Sequence, residues 1–208
     1  MNCKIALIRG DGIGPEVVNE AVNVLNAIAD KYGHRIEYVD VLMGGCATDA
    51  VGVSYPEGTA EKCKSCDAVL LGAVGGPKWG ADKPSEQRPE TALLAIRKDL
   101  GLYANLRPAV LRPAMADACP LKKETAEKGI DLMMVRELTG GVYFGKRNKY
   151  QTEDRGIEAT DLMAYSEKEI ERIGRRAFEL ARLRRGKVSS VDKANVLETS
   201  RLWRSVMH

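Results

Sequence analysis

Six polar side chains lie at predicted strand ends or on predicted helix faces, where they could act together on a small molecule. They are Arg97, Arg107, Arg136, Tyr143, Lys193 and Asn195. Each guanidinium can hold two carboxylate oxygens at once, so three arginines predict a substrate with more than one carboxylate. A tyrosine and a lysine in such a cationic site are suited to acid–base chemistry, because neighbouring positive charge favours phenolate and disfavours protonated lysine.

Each of these residues also has a simpler explanation. An individual arginine is more often part of a surface ion pair, and Lys193 by itself fits a solvated loop. Arg136 could pair with Glu137 in an ordinary hairpin, with Tyr143 as a half-buried strand aromatic. The residues alone leave both interpretations open.

The stretch from Arg136 to Gly145 organises the rest of the chain. The apolar run before it, residues 130–135, predicts a strand buried on both faces. This strand delivers Arg136, and Tyr143 follows a flexible pair of glycines. A buried strand that ends in a cation, a flexible pair and a titratable ring is typical of the wall of a site.

The composition indicates a globular protein and argues against several partners. The chain has 208 residues, 44% hydrophobic and 29% charged, with a formal net charge of +3. This balanced charge predicts no nucleic-acid partner, and no apolar stretch is long enough to predict a membrane span. Five spread cysteines and no apolar leader predict a reduced, cytoplasmic protein. Cys63 and Cys66 have redox or zinc spacing, but without a second pair we interpret them as a chance pair.

Residues 1–101 are predicted to form a first domain of alternating strands and helices. The predicted elements are strand 4–8, a helix from Pro15 to Gly33, strand 36–42, helix 56–66, strand 68–71 and a helix from Pro89 to Gly101. This order predicts a doubly wound α/β fold with a parallel sheet. The polar residues 80–88 predict a mobile loop.

Two glycine-rich turns follow predicted strands of this domain. The first, residues 10–14, fails the dinucleotide fingerprint because Pro15 stands where the third glycine is needed. A plain tight turn and a close approach of the backbone to a ligand both explain it. The second, residues 72–79, lies at the carboxyl end of a strand, where open α/β sheets bind ligands.

Residues 102–208 are predicted to form a second domain with a different pattern. The predicted elements are strands 103–108, 130–136 and 187–191, a hairpin or arm within 142–164, a helix from a capping box at Ser166 to Gly186, and a helix from about Ser200. The chain ends a turn or two into that last helix, so we expect the sequence to be cut short.

Several of these motifs together resemble a known family, the β-decarboxylating dehydrogenases that act on 3-isopropylmalate, isocitrate and tartrate. The matching stretches are Gly10–Glu16, Leu70–Trp79, Arg88–Lys98, Ala104–Pro108, Val135–Gly145 and Asp192–Arg204. They run in family order across the whole chain, and the resemblance is to the isopropylmalate branch. It implies an isopropylmalate-dehydrogenase-like α/β fold of two domains with a mixed sheet, incomplete at the carboxyl terminus.

The resemblance also implies roles for individual residues. Arg97, Arg107 and Arg136 should hold the two carboxylates of a malate. Tyr143 should protonate the enol carbon after CO2 leaves. Lys193 should act as base toward the hydroxyl and should reach the site from the other subunit of a homodimer.

The cofactor and the substrate side chain are placed by the same resemblance. The residues expected to face the nicotinamide half of NAD are Gly76, Pro77, Lys78, Trp79, Glu90 and Asn195. Leu93 and Leu94 should contact the isopropyl group, although helix packing would also explain two leucines. An isocitrate-binding relative would be expected to carry polar residues there, one of them a serine.

The implied reaction is the NAD-dependent oxidative decarboxylation of 3-isopropylmalate to 4-methyl-2-oxopentanoate in leucine biosynthesis. Mg or Mn would stabilise the enolate, and a lid-like loop would exclude water. The metal ligands are expected beyond His208, so no residue of this chain is assigned that role, and the chain alone is expected not to turn over. The alternatives are a tartrate- or isocitrate-type enzyme, and a non-catalytic remnant that dimerises through residues 145–164 and the helix from Ser166.

Overall fold

The computed structural model describes residues 1–80 and 82–208, so that Ala81, within the predicted loop 80–88, lies outside the described residues. The described chain forms two compact units, Met1–Gly101 and Leu102–His208. No helix in these two ranges is long and apolar enough to cross a membrane. The α/β class is confirmed, and the strands of the described residues form one parallel and two antiparallel sheets.

The first unit is built on a parallel sheet of three strands. The strands are β1 (Asn2–Gly10), β2 (Arg35–Asp40) and β3 (Ala68–Ala73), in the order β2-β1-β3. Ile5 of β1 faces Tyr38 on one side and Ala68 on the other, so β1 is the central strand. The predicted parallel sheet is therefore confirmed, and all three strands end at the same edge.

Four helices complete the first unit. They are α1 (Gly14–Tyr32), α2 (Gly45–Val51), α3 (Thr59–Lys64) and α4 (Pro89–Asp99). Helix α1 begins with Pro15 in its first turn, and Gly33 ends it in the left-handed conformation, as predicted. Helix α2 was not predicted, because its seven residues are too few to show a helical period.

The core of this unit follows from the alternation of side chains along β1. Ala6 and Ile8 face α4 and pack in a cluster with Ala92 and Ile96, whereas Ile5 and Leu7 face the opposite way, toward α1. A strand buried on both faces needs apolar residues at every position, as the run 5–8 has. The sheet is thus covered on both faces, which is the doubly wound arrangement predicted.

The second unit contains two antiparallel strand pairs and three helices. The pairs are β4 (Ala104–Val110) with β5 (Asp131–Glu137), and β6 (Arg147–Thr152) with β7 (Gly156–Asp161); the helices are α5 (Lys123–Ala126), α6 (Glu167–Arg182) and α7 (Glu198–Met207). The hairpin predicted within residues 142–164 is confirmed. The capping box is confirmed too, since Ser166 and Glu169 bond reciprocally at the start of α6.

Two strand predictions in this unit are wrong. Strand β5 is not buried on both faces, because Leu132 and Met134 are 45% and 55% exposed. Within the described part of the chain β5 pairs with β4 alone, and only its other face packs against α6. Residues 187–191 form no regular strand, because a run of five residues with two serines has no neighbouring strand to pair with in the described ranges.

Candidate functional site

Two loops leave the carboxyl edge of the parallel sheet and meet at one buried carboxylate. Asp11, directly after β1, is 4% exposed. Its oxygens accept hydrogen bonds from the backbone N–H groups of Gly45 (2.8 Å), Cys46 (2.6 Å) and Gly75 (2.8 Å). The exit of β1, the start of α2 and the exit of β3 are therefore joined through a single side chain.

Close backbone packing explains the glycines of the first turn. A Cβ on Gly10 would lie 1.9 Å from the carbonyl oxygen of Ala73, and one on Gly14 would lie 2.2 Å from that of Arg9. No side chain fits at such distances. Of the two interpretations left open by the sequence, a tight turn packed against β3 accounts for these glycines without a ligand.

The loop predicted to face the cofactor is held against α2. Lys78 Nζ lies 2.7 Å from Asp49 Oδ2, and Trp79 Nε1 donates to Asp49 Oδ1 at 3.1 Å. The hydrogen bond from Lys78 holds the pKa of the Asp49 carboxyl below its ordinary value. The Trp79 indole packs on Gly45, where a Cβ would come within 2.3 Å of the ring. Gly76, Pro77 and Lys78 are exposed, so the loop presents a firmly anchored but accessible surface.

Helix α4 carries four of the predicted site residues on one face. Glu90, Leu93, Leu94 and Arg97 recur at helical spacing, opposite Ala92 and Ile96 of the core. The carboxylate of Glu90 lies beside the glycine loop, since a Cβ on Gly75 would be 3.3 Å from its Oε1. Leu93 packs against the core cluster of β1, so helix packing explains this leucine. Leu94 and Arg97 are half-buried, and their contact with a substrate stays a prediction.

Strands β4 and β5 bring the other two predicted arginines to one face. Arg136 lies directly opposite Asn105, two residues from Arg107, so all three side chains share a face of the ribbon. Arg107 Nε donates to Asn105 Oδ1 at 2.7 Å, and the Arg136 guanidinium lies 5.4 Å from the centre of the Tyr143 ring. No carboxylate within residues 1–80 and 82–208 forms an ion pair with either arginine. Both guanidiniums can therefore bind an anion.

Glu137 does not pair with Arg136, so the simpler interpretation of that pair is wrong. Its buried side chain lies on the opposite face of β5, where Arg172 of α6 donates to it at 2.6 Å and 3.3 Å. The backbone N–H and the hydroxyl of Thr139 both donate to the same carboxylate at 3.1 Å. This network anchors the turn that leads to Tyr143. The sequence offered no signal for it, because Arg172 is 35 residues away and off the apolar stripe of α6.

A cavity of about 1000 Å³ lies in the second unit between β5, α6 and the segment 187–207. Its lining combines apolar side chains with Arg136, Tyr143 and Asp192. Tyr165 also lines it, in edge-to-face contact with Trp203 at 5.7 Å between ring centres. Burial raises the pKa of the Tyr165 phenol above its ordinary value, and the nearby Glu137 charge raises it further. Tyr143, 53% exposed, is thus the accessible phenol of this cavity.

The segment that carries Lys193 and Asn195 is held by its neighbours. Arg204 donates to both oxygens of Asp192, at 2.8 Å and 3.1 Å, which keeps the pKa of that carboxyl below its ordinary value. The backbone N–H of Lys193 donates to Ser200 Oγ at 3.0 Å. Both Lys193 and Asn195 are exposed and neither lines the cavity, so the structure does not bring Lys193 to Tyr143 within this unit.

The side chains that could bind a metal ion are dispersed. No group of three His, Cys, Asp or Glu side chains in the described residues could hold a metal ion. Cys63 and Cys66 are free thiols, and burial raises the pKa of Cys63, which disfavours the thiolate that binds metal. The donor set of the described chain therefore does not fit Mg or Mn by itself.

Comparison with known proteins gives consistent results. The family described as isocitrate/isopropylmalate dehydrogenase matches residues 4–208. A 3-isopropylmalate dehydrogenase of Nitratidesulfovibrio vulgaris is 54% identical over 207 residues, which are 100% of this chain and 58% of that protein. One of Moorella thermoacetica is 57% identical over 205 residues, which are 98% of this chain and 57% of that protein. The chain thus spans a little over half the length of these curated relatives.

Solved structures agree with the fold. An isocitrate dehydrogenase of Methylococcus capsulatus superposes with a TM-score of 0.75 at 30% identity, over 99% of this chain and 56% of that chain. A β-decarboxylating dehydrogenase of Thermococcus kodakarensis, in its apo form, superposes with a TM-score of 0.69 at 33% identity, over 99% of this chain and 53% of that chain.

Proposed function

Since the chain belongs to the isocitrate/isopropylmalate dehydrogenase family, we propose that the whole protein is an NAD-dependent 3-isopropylmalate dehydrogenase. It would convert 3-isopropylmalate to 4-methyl-2-oxopentanoate in leucine biosynthesis. The observation that carries this proposal is the pair of arginines on one ribbon face, without a carboxylate partner in the described residues, beside an accessible tyrosine. The names of the relatives, at 54% and 57% identity, supply the substrate.

The arginines are proposed to bind the two carboxylates of the substrate. Arg107 and Arg136 present their guanidiniums from neighbouring strands, and each can bind a carboxylate with two hydrogen bonds. The family resemblance assigns the same role to Arg97, which lies on the face of α4 that also carries Leu94. Leu94 would contact the isopropyl group, since Leu93 is occupied by core packing.

Proton transfer is assigned to Tyr143 and Lys193. Tyr143 would protonate the enol carbon after CO2 has left, because its exposed side chain lies beside Arg136, which would hold the substrate. Lys193 is exposed and stands apart from the cavity of Tyr143, which suits its proposed role as the base that a partner subunit contributes in a homodimer.

The nicotinamide cofactor is proposed to bind at the exposed loop 76–79, near Glu90. The family resemblance also assigns Asn195 to the cofactor. NAD, when bound, supplies the hydride acceptor. Because the described residues do not form a metal set, Mg or Mn would take ligands from parts of the protein that the longer relatives have and this chain does not span. The residues of this chain accordingly contribute binding and proton transfer.

The test is a comparison of substrates and variants in the protein. Formation of NADH from 3-isopropylmalate, isocitrate and tartrate is measured in the presence of Mg, and 3-isopropylmalate is expected to be preferred. Tyr143→Phe is expected to lower kcat by about 100-fold or more, the ordinary contribution of one acid–base group. Tyr150→Phe, on the exposed hairpin, is the matched control. A preference for isocitrate or tartrate would contradict the substrate assignment.

The 208-residue chain by itself is expected not to form NADH, because it has no metal set among its described residues. Turnover above that of a Lys193→Ala control would contradict this expectation. A second candidate is a non-catalytic protein that dimerises through the β6–β7 hairpin, on which Ile157 is 66% exposed. Sedimentation of the chain with and without Ile157→Asp tests whether the hairpin forms the dimer, and NADH formation by the whole protein distinguishes the two candidates, since only the enzyme predicts it.

A further inference from the structure

We propose that Asp11 is a positioning residue of the cofactor site, whose buried carboxylate holds the β3 exit loop, residues 74–80, against α2. The identity of the cofactor rests on the function proposed above, whereas the anchoring itself rests on geometry alone. Asp11 need not touch the cofactor: it would act through Gly75, the neighbour of the exposed Gly76.

The hydrogen bonds of Asp11 support this role by their number and origin. Three backbone N–H groups point at one carboxylate, two from the start of α2 and one from the β3 exit loop. No lysine or arginine of the described residues pairs with Asp11, so these N–H dipoles compensate its charge. A side chain that binds segments 34 and 64 residues away fixes their relative position.

The backbone around Asp11 leaves no room for a ligand or for side chains in place of the glycines. Gly44 and Gly75, on either side of the carboxylate, have φ angles of +106° and +108°, which favour glycine. A Cβ on Gly44 would lie 2.8 Å from Asp11 Oδ2, so the carboxylate fills the space beside this backbone. In addition, the backbone N–H of Asp11 donates to the carbonyl of Ala73 at 2.6 Å. The space around Asp11 is therefore filled by the protein itself.

Asp11 is connected through Gly45 to the residues that would meet the cofactor. Gly45, which donates to Asp11, is also the surface on which the Trp79 indole packs. If α2 and the exit loop separate, Trp79 loses that contact and the loop 76–79 loses its support. An asparagine in place of Asp11 keeps one acceptor oxygen but directs an NH2 group at an N–H donor, which disfavours the arrangement.

The experiment follows Trp79 directly. The chain has two tryptophans, and Trp203→Phe leaves Trp79 as the only one. In that background, Asp11→Asn is expected to raise the acrylamide quenching constant of Trp79 about twofold, because a loosened loop exposes the indole. Asp67→Asn is the matched control: its carboxylate accepts the N–H of Lys4 at 2.7 Å, at the opposite end of β3, and quenching is expected to stay unchanged.

The affinity for NADH is measured on the same variants, at a temperature where circular dichroism shows each of them folded. Asp11→Asn is expected to raise the Kd about tenfold, which a loss of support for one loop can produce without unfolding, and Asp67→Asn is expected to leave it unchanged. If the whole protein, measured in the same way, binds no NADH, the proposed function is contradicted, and the quenching of Trp79 still decides the anchoring. Unchanged quenching and unchanged affinity in Asp11→Asn would overturn the proposal.

Hydrogen exchange in the unsubstituted chain gives a test that does not depend on the variant folding. The amides of Gly45, Cys46 and Gly75 are expected to exchange at least about 100-fold more slowly than in an unstructured chain, because each is bonded to a buried acceptor. Exchange of the Gly75 amide at the unstructured rate would refute the anchor, whatever the stability of Asp11→Asn.

Discussion

Each unit of the molecule buries one carboxylate at the end of a strand, and the two are stabilised in opposite ways. Asp11, after β1, is compensated by three backbone N–H groups. Glu137, at the end of β5, is compensated by the guanidinium of Arg172 and by Thr139. The first carboxylate joins loops to one another, whereas the second joins a strand to a helix.

The origin of the donors determines what each carboxylate can control. Backbone donors are part of the main chain, so Asp11 sets the path of the loops themselves and needs glycines around it. Arg172, the side-chain donor to Glu137, is 38% exposed and can be rehydrated if the ion pair is broken. Strand β5 and helix α6 would then keep their own backbone hydrogen bonds. We therefore expect Asp11 to matter more for the stability of its unit than Glu137 does for the other.

The largest effect is expected for Asp11→Ala. Three N–H groups would lose a buried acceptor, at about 1–3 kcal/mol each before relaxation, so the free energy of unfolding should fall by about 3–5 kcal/mol. Urea denaturation followed by Trp79 fluorescence, in the Trp203→Phe background, measures it. Asp67→Ala serves as the control, with a single exposed N–H bond to lose. A loss below about 1 kcal/mol in Asp11→Ala would remove the contrast between the two carboxylates.

A smaller effect is expected for Glu137→Ala. The Arg172 guanidinium can rehydrate, so the free energy of unfolding of the second unit should fall by about 2 kcal/mol, less than for a fully buried pair. Unfolding is followed by the fluorescence of Trp203, and the substitution Trp79→Phe removes the fluorescence signal of the first unit. A double-mutant cycle with Arg172→Met isolates the pair, and additive effects would show that Glu137 acts through Thr139 alone.

Lowering the pH is expected to remove the stabilising contribution of a third carboxylate, that of Asp192. Its pKa is lowered by Arg204, so its stabilising contribution is present above the unfolded value of about 3.9 and is lost as pH falls through the lower folded value. The urea midpoints of the parent and of Asp192→Asn should therefore differ at pH 7 and converge as the pH falls below the ordinary carboxyl value of about 3.9. A constant difference across that range would show that the Arg204 contact is not the source.

The smallest effect is expected for Asp49→Asn, whose carboxylate is exposed and bonded only to the side chains of Lys78 and Trp79. Exposed pairs contribute little, so the melting temperature should stay within about 2 °C of the parent. Differential scanning calorimetry at low and moderate salt measures it. A fall in melting temperature as large as the one that Asp11→Ala causes would mean that side-chain contacts, rather than the backbone N–H bonds to Asp11, hold the loop.

Local signals were sufficient for much of the fold. Pro15 and Gly33 marked the ends of α1, Ser166 marked the start of α6, and the apolar run of β1 marked a central strand. The closeness of Arg136 and Tyr143 also follows from the sequence, because residues near one another in the chain at a strand end remain near in the fold. These features depend on residues within a few positions of one another.

Features that depend on partners far along the chain could not be predicted in this way. The apolar run 130–135 predicted a fully buried strand, yet only packing determines whether a second sheet or a helix covers each face. The sequence offered Arg136 as one possible partner of its neighbour Glu137, whereas α6 supplies the partner that Glu137 has, Arg172, from 35 residues away. The donors to Asp11 come from 34 and 64 residues away and are backbone groups, which every residue except proline carries. The order of residues was enough to specify the elements and the chemistry they carry, whereas the packing of distant segments selected the charge or dipole that each buried carboxylate meets.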